Sequence, residues 1–95
     1  LDALTLDEND FVTNLYLGQA FYEKKSFQKS VLYLRKAQAT NPVDPNVYYH
    51  LALAHLELKQ IKDAIDSLEK GLPHCPRESN LYLYSKELLI RLRGE

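Results

Sequence analysis

The sequence predicts an all-α fold of stacked antiparallel helix pairs, and three observations carry that prediction. The 95-residue chain repeats itself with a period of 34 residues: Phe11 to Asp44 aligns without a gap on Pro45 to Glu78. Each copy holds two stretches with apolar residues at helical spacing, separated by a polar break. A hydrophobic content of 45% supports one continuous core, and a single cysteine leaves no internal disulfide framework to replace it.

The identities between the copies are Leu17/Leu51, Ala20/Ala54, Glu23/Glu57, Lys25/Lys59, Leu34/Leu68, Lys36/Lys70 and Pro42/Pro76. Conservative pairs join them, among them Phe27/Ile61, Ser30/Ala64, Val31/Ile65 and Ala37/Gly71. The first helix runs from residue 11 to about residue 24, a break follows at Lys25-Ser26, and the second helix runs to about Thr40. Pro42 marks that end. Asp44-Pro45 opens the next helix, because an aspartate accepts from free backbone donors and a proline presets the first turn. Gly71-Leu72-Pro73 stops the fourth helix earlier than its counterpart, since Pro73 removes a donor and clashes with the preceding turn. A last helical stretch follows in SNLYLYSKELLIRLRGE.

The pattern resembles the tetratricopeptide repeat, W-x₂-L-G-x₂-Y followed by Ala, Phe, Ala and Pro. Matching places hold Asn14, Leu17, Gly18, Phe21, Ser30, Leu34, Ala37 and Pro42, then Tyr48, Leu51, Ala52, His55, Ala64, Leu68, Gly71 and Pro76. Departures are Asn14 and His55 at the aromatic places and lysines at the usual interhelical glycine. The resemblance implies a right-handed superhelix of antiparallel helix pairs. It divides the chain into 1–10 as the tail of a preceding repeat or a linker, with Ala3 and Glu8 at the small and proline places of such a tail, 11–44 and 45–78 as two repeats, and 79–95 as a C-terminal capping helix. Ser85 and Lys86 replace the Leu-Gly pair there, and the charge reads as a solvent-facing end.

The stretch YYHLALAH, residues 48 to 55, decides between a chemical site and a packing unit. In a helix His50 and His55 point about 140° apart, so they cannot chelate one ion. Tyr48, Leu51, Ala52 and His55 share the core arc. The other face of each first helix, which in this family lines the concave groove, carries Val12, Leu15, Tyr16, Gln19, Tyr22 and Glu23, then Tyr49, His50, Leu53, Leu56 and Glu57, then Leu83, Tyr84, Glu87, Ile90 and Arg91. A solvated face is ordinarily charged, whereas tyrosine and leucine dominate here. The predicted partner-binding residues are Leu15, Gln19, Tyr22, Tyr49, His50, Leu53, Leu83, Tyr84 and Glu87, with a peptide or helical segment of a protein as ligand. Other readings remain open: burial of this face by further helices, self-association into a homo-oligomer, or a regulatory or substrate-docking arm of an enzyme.

The family's clamp for a chaperone C-terminal carboxylate is not expected, because the places of its lysines, asparagines and arginine hold Leu15, Gln19, His50, Asn80 and Tyr84, which offer no cation to pair the carboxylate. Twelve basic against thirteen acidic residues leave no footprint for nucleic acid. No apolar run is long enough to insert in a membrane. His74-Cys75 is the one adjacent pair with nucleophilic potential, but a loop position without an orienting third group points to no catalysis. Neither a metal nor another cofactor is expected. The chain reads as a non-enzymatic scaffold or adaptor fragment of the cytoplasm or nucleus.

Overall fold

The structure is a computed structural model that describes residues 10–94, so the expectation for residues 1–9 lies outside the described part. Five helices follow one another: α1 (Phe11–Glu23), α2 (Phe27–Thr40), α3 (Pro45–Glu57), α4 (Ile61–Gly71) and α5 (Asn80–Arg93), with no strand among the described residues. A single 3₁₀ turn, Leu72–His74, follows α4. Pro73 therefore acts as expected, since α4 has 11 residues and α2 has 14. Asp10, Asp44 and Ser79 cap α1, α3 and α5, each accepting from a backbone N–H inside its own first turn. Each first helix packs on the second helix of its own pair, and α2 packs on α3.

The turn inside each pair is the same object twice. Lys25 and Lys59 both lie at φ 65°. The next amide, of Ser26 or Gln60, donates back to the carbonyl of Phe21 or His55 at 2.8 Å in both pairs. The lysine amides donate to Tyr22 and Leu56. This is the Schellman closure, which normally uses glycine at the left-handed place. A lysine there carries backbone strain of about 1–2 kcal/mol, so the departure from the family pattern weakens the turn rather than the packing. Lys25→Gly and Lys59→Gly should each raise stability by about 0.5–1 kcal/mol, glycine's larger chain entropy offsetting part of the relief. Urea unfolding of the single and double variants checks this; midpoints unchanged or lowered would show that the turns are unstrained.

Two apolar clusters meet at α3. Leu34, Ala37, Val47 and Leu51 form the first, with Phe11, Leu15 and Val31 against it. Ala52, Ala64, Leu68 and Leu89 form the second, with Tyr49, Leu56 and residues of α4, α5 and the connecting turn against it. Neighbouring residues Leu51 and Ala52 thus serve different clusters, which ties the two pairs into one core. The small residues set the helix spacing. A Cβ added at Gly18 would stand 2.5 Å from Leu34 Cγ, and one at Gly71 would stand 2.6 Å from Tyr48 Cβ. Two polar groups in the core have partners: Ser30 Oγ donates to the Gly18 carbonyl at 2.7 Å and Tyr48 Oη to the Pro42 carbonyl at 2.6 Å.

Candidate functional site

The first helices, which carry the outward stripe read from the sequence, are neighbours in space. α1 touches α3 and α3 touches α5, whereas α2 and α4 scarcely meet. Along this stripe Val12, Tyr16, Leu83 and Tyr84 are each more than half exposed, and Ile90 is 38% exposed. Leu15, Gln19, Tyr22, Tyr49, His50, Leu53 and Leu56 are half-buried, while Glu23, Glu57, Glu87 and Arg91 are exposed. Helical geometry explains the graded exposure. Residues at the edge of the stripe pack one flank of the side chain on the core and leave the other flank outside. Leu15 does so on the first cluster, and Tyr49 and Leu56 on the second.

Contacts join α1 to α3 across the stripe. Gln19 Nε2 lies 3.1 Å from His50 Nε2, and the rings of His50 and Tyr49 meet edge to face at 5.9 Å. Burial pushes the His50 imidazole below its ordinary pKa, and Asp44 pulls it partly back. At the other end of the stripe burial raises the Tyr22 phenol, with Glu57 and Tyr49 adding to the rise. Tyr22 stacks edge to face on Phe27 at 5.3 Å. Tyr22, Glu57 and Phe27 line a cavity of about 440 Å³ at the turn end of α1. Leu83, Tyr84 and Glu87 are exposed on α5.

Phe27 and Asp44 belong to this surroundings and were missed in the sequence. Phe27 lies on a second helix, and its sequence signal was only its pairing with Ile61 in the repeat. Asp44 was legible as a helix cap; its proximity to His50 depends on the turn that precedes α3.

The depressed His50 pKa has a consequence for stability. The unfolded chain takes up a proton near the ordinary value of 6.5 before the folded chain does. Stability from this group is therefore fully present above pH 6.5 and declines as pH falls toward the folded pKa. His50→Gln should flatten the loss of stability between about pH 7.5 and 5.5, measured as urea midpoints at both values. An unchanged slope would place the responsible proton elsewhere.

The remaining histidines and the cysteine have structural partners. His55, buried, donates from Nδ1 to Gln60 Oε1 at 2.7 Å, so the residue at the second aromatic place closes the turn. His74 stacks on Tyr48 at 6.4 Å, while the buried Cys75 Sγ lies 3.4 Å from Ser79 Oγ. The adjacent pair is thus drawn to different neighbours. Among the described residues no group of three or more His, Cys, Asp or Glu side chains could hold a metal ion, and no helix is long and apolar enough to cross a membrane.

Residues 2–71 match the family model described as "Anaphase-promoting complex, cyclosome, subunit 3". The chain is also similar to the BBSome complex member BBS4 of Bos taurus and of Mus musculus, 28% identical to each over 76 residues that cover 80% of this chain. Its similarity to BBSome complex member BBS4 of Xenopus tropicalis is 30% over 67 residues, or 70% of this chain. The matches span 15%, 15% and 13% of those relatives' own lengths. The helix pairs are of the tetratricopeptide type, as their residues indicated.

Proposed function

We propose that this chain, which belongs to the anaphase-promoting complex, cyclosome, subunit 3 family, is a protein-interaction module of a larger scaffold or adaptor and binds a peptide or helical segment along the outward stripe of its first helices. The observation that carries this reading is the exposed apolar and tyrosine surface on α1 and α5, with half-buried Tyr49, Leu53 and Leu56 on α3, which touches both. Val12, Tyr16, Leu83 and Tyr84 leave more than half of their surface in water, on helices that both touch α3. Burying such side chains stabilises a complex by about 1.5–3 kcal/mol each before ordering costs. Closer contact among the first helices than among the second supports a concave side lined by the stripe.

The binding residues in this reading are Leu15, Gln19, Tyr22, Tyr49, His50, Leu53, Leu83, Tyr84 and Glu87. Tyr49 and Leu53 are central because α3 stands between the other first helices. Tyrosine offers apolar area with a polar tip, which suits a surface that is wet when free and dry when bound. The Gln19–His50 contact holds two of these side chains in place across the α1–α3 boundary, which lowers the ordering cost on binding. The compartment is the cytoplasm, with the nucleus as the alternative.

A photo-cross-linking scan tests the reading. A benzophenone amino acid at position 53 or 84 should capture a defined partner, while the same group at the exposed positions 32 and 62 on the second helices should not. Capture from 32 and 62 alone would move the site to the opposite side. Capture of a second copy of the chain through 53 and 84 would make self-association the function of this face.

A further inference from the structure

We propose that the cavity at the turn end of α1 is a socket for a cationic side chain, the guanidinium or ammonium of an internal arginine or lysine in the segment that the stripe holds; the proposal rests on that reading of the stripe. Two kinds of wall select this chemistry. Tyr22 and Phe27 present half-buried rings set edge to face at 5.3 Å, and Glu23 and Glu57 add a carboxylate each, around a space of about 440 Å³. A ring face attracts a cation and a carboxylate pairs with it. Glu57 reaches the cavity from α3, and after burial its charge is the next cause of the raised Tyr22 phenol. Among the described residues neither glutamate is in an ion pair with a basic side chain, so both charges are available to a ligand. The fifth lining residue, Lys25, is exposed, and two carboxylates against one ammonium leave the lining negative. That excess disfavours a terminal carboxylate in the same space, so the basic residue is an internal one.

The repeat separates this chemistry from the needs of packing. Moved 34 places along the chain, Tyr22, Glu23, Lys25, Phe27 and Glu57 become Leu56, Glu57, Lys59, Ile61 and Arg91. Both rings turn aliphatic and one carboxylate turns into a cation. The second pair closes the same kind of turn without aromatic walls or a second acid, so the first pair carries them in addition to what the fold requires. Tyr22 and Glu57 belong to the stripe as well as to the cavity, and Glu57 lies one helical turn along α3 from Leu53. A segment anchored at Leu53 thus reaches the cavity with a long basic side chain.

Small cations test the cavity without the rest of a segment. Nα-acetyl-argininamide and Nα-acetyl-lysinamide are titrated into the protein with its natural flanking sequence and followed by saturation-transfer difference NMR. Both should bind with a Kd on the order of 1 mM, the strength expected of ligands of this size. The neutral isostere Nα-acetyl-citrullinamide should bind at least about threefold more weakly than the arginine probe. Glu57→Gln should weaken the arginine probe about threefold, and Lys25→Gly, which removes the opposing cation, should tighten it about twofold, with helicity unchanged in both. If Glu57→Gln loses helicity, Glu23→Gln carries the same prediction. Equal binding of the citrulline probe, or an arginine affinity that neither substitution moves, would overturn the proposal. Partner capture through positions 53 and 84 with no binding of either cation would remove the cavity's role and leave that of the stripe. Cation binding that responds to both substitutions, without such capture, would do the reverse.

Discussion

Leu34→Ala lowers the unfolding free energy by about 3–4 kcal/mol, among the largest effects of any single truncation in this chain. Leu34 is fully buried and belongs to the cluster in which Leu34 and Ala37 of α2 meet Val47 and Leu51 of α3. It also sits directly over Gly18 of α1. Removing its outer atoms leaves a void walled by three helices, and a stack whose pairs share one core cannot close such a void without shifting α1 against α3. Gly18 makes the prediction sharper. Gly18→Ala alone gains about 1 kcal/mol of helix propensity but drives a methyl into Leu34, an overlap that costs about 1–3 kcal/mol. In the Leu34→Ala background the obstructing atoms are gone, so the same Gly18→Ala change should stabilise by about 1 kcal/mol. The double-mutant cycle should give a coupling of about 2 kcal/mol between the two positions by urea denaturation. Additive effects would mean that α1 and α2 are not in the close contact described.

Much of this architecture is legible before any coordinates. A gapless 34-residue repeat fixes the helix pairs, because identical spacing of Leu17/Leu51 and Leu34/Leu68 requires identical packing partners. Pro73 fixes the early end of α4 through its missing donor. The core face of α3 follows from its period, and Tyr48, Leu51, Ala52 and His55 are all buried. Three features depend on geometry that periodicity does not encode. The strain at Lys25 and Lys59 arises from a turn whose hydrogen bonds demand a left-handed residue, while the sequence shows only that glycine is missing. The contact between Gln19 and His50 depends on the angle at which α1 meets α3. The graded burial of Leu15, Tyr49 and Leu56 depends on how far each neighbouring helix reaches over the stripe. Residue identity locates the stripe, and stacking decides which of its members are also core.

Leu53 separates those two roles best. It lies on α3 between the flanking first helices, half-buried, and is not a member of either buried cluster. Leu53→Glu should therefore leave the helices in place and deny the apolar contact to a bound segment. A central anchor replaced by a charge costs a complex about 2 kcal/mol or more, a weakening of at least roughly thirtyfold. The measurement is the Kd, by calorimetry, of wild type and Leu53→Glu for the partner captured through position 53, with far-UV circular dichroism and the thermal midpoint of each protein alongside. The account predicts that the Kd rises at least about thirtyfold while helicity is unchanged and the midpoint moves by less than about 5 °C. An unchanged Kd, or a variant that unfolds, would contradict it.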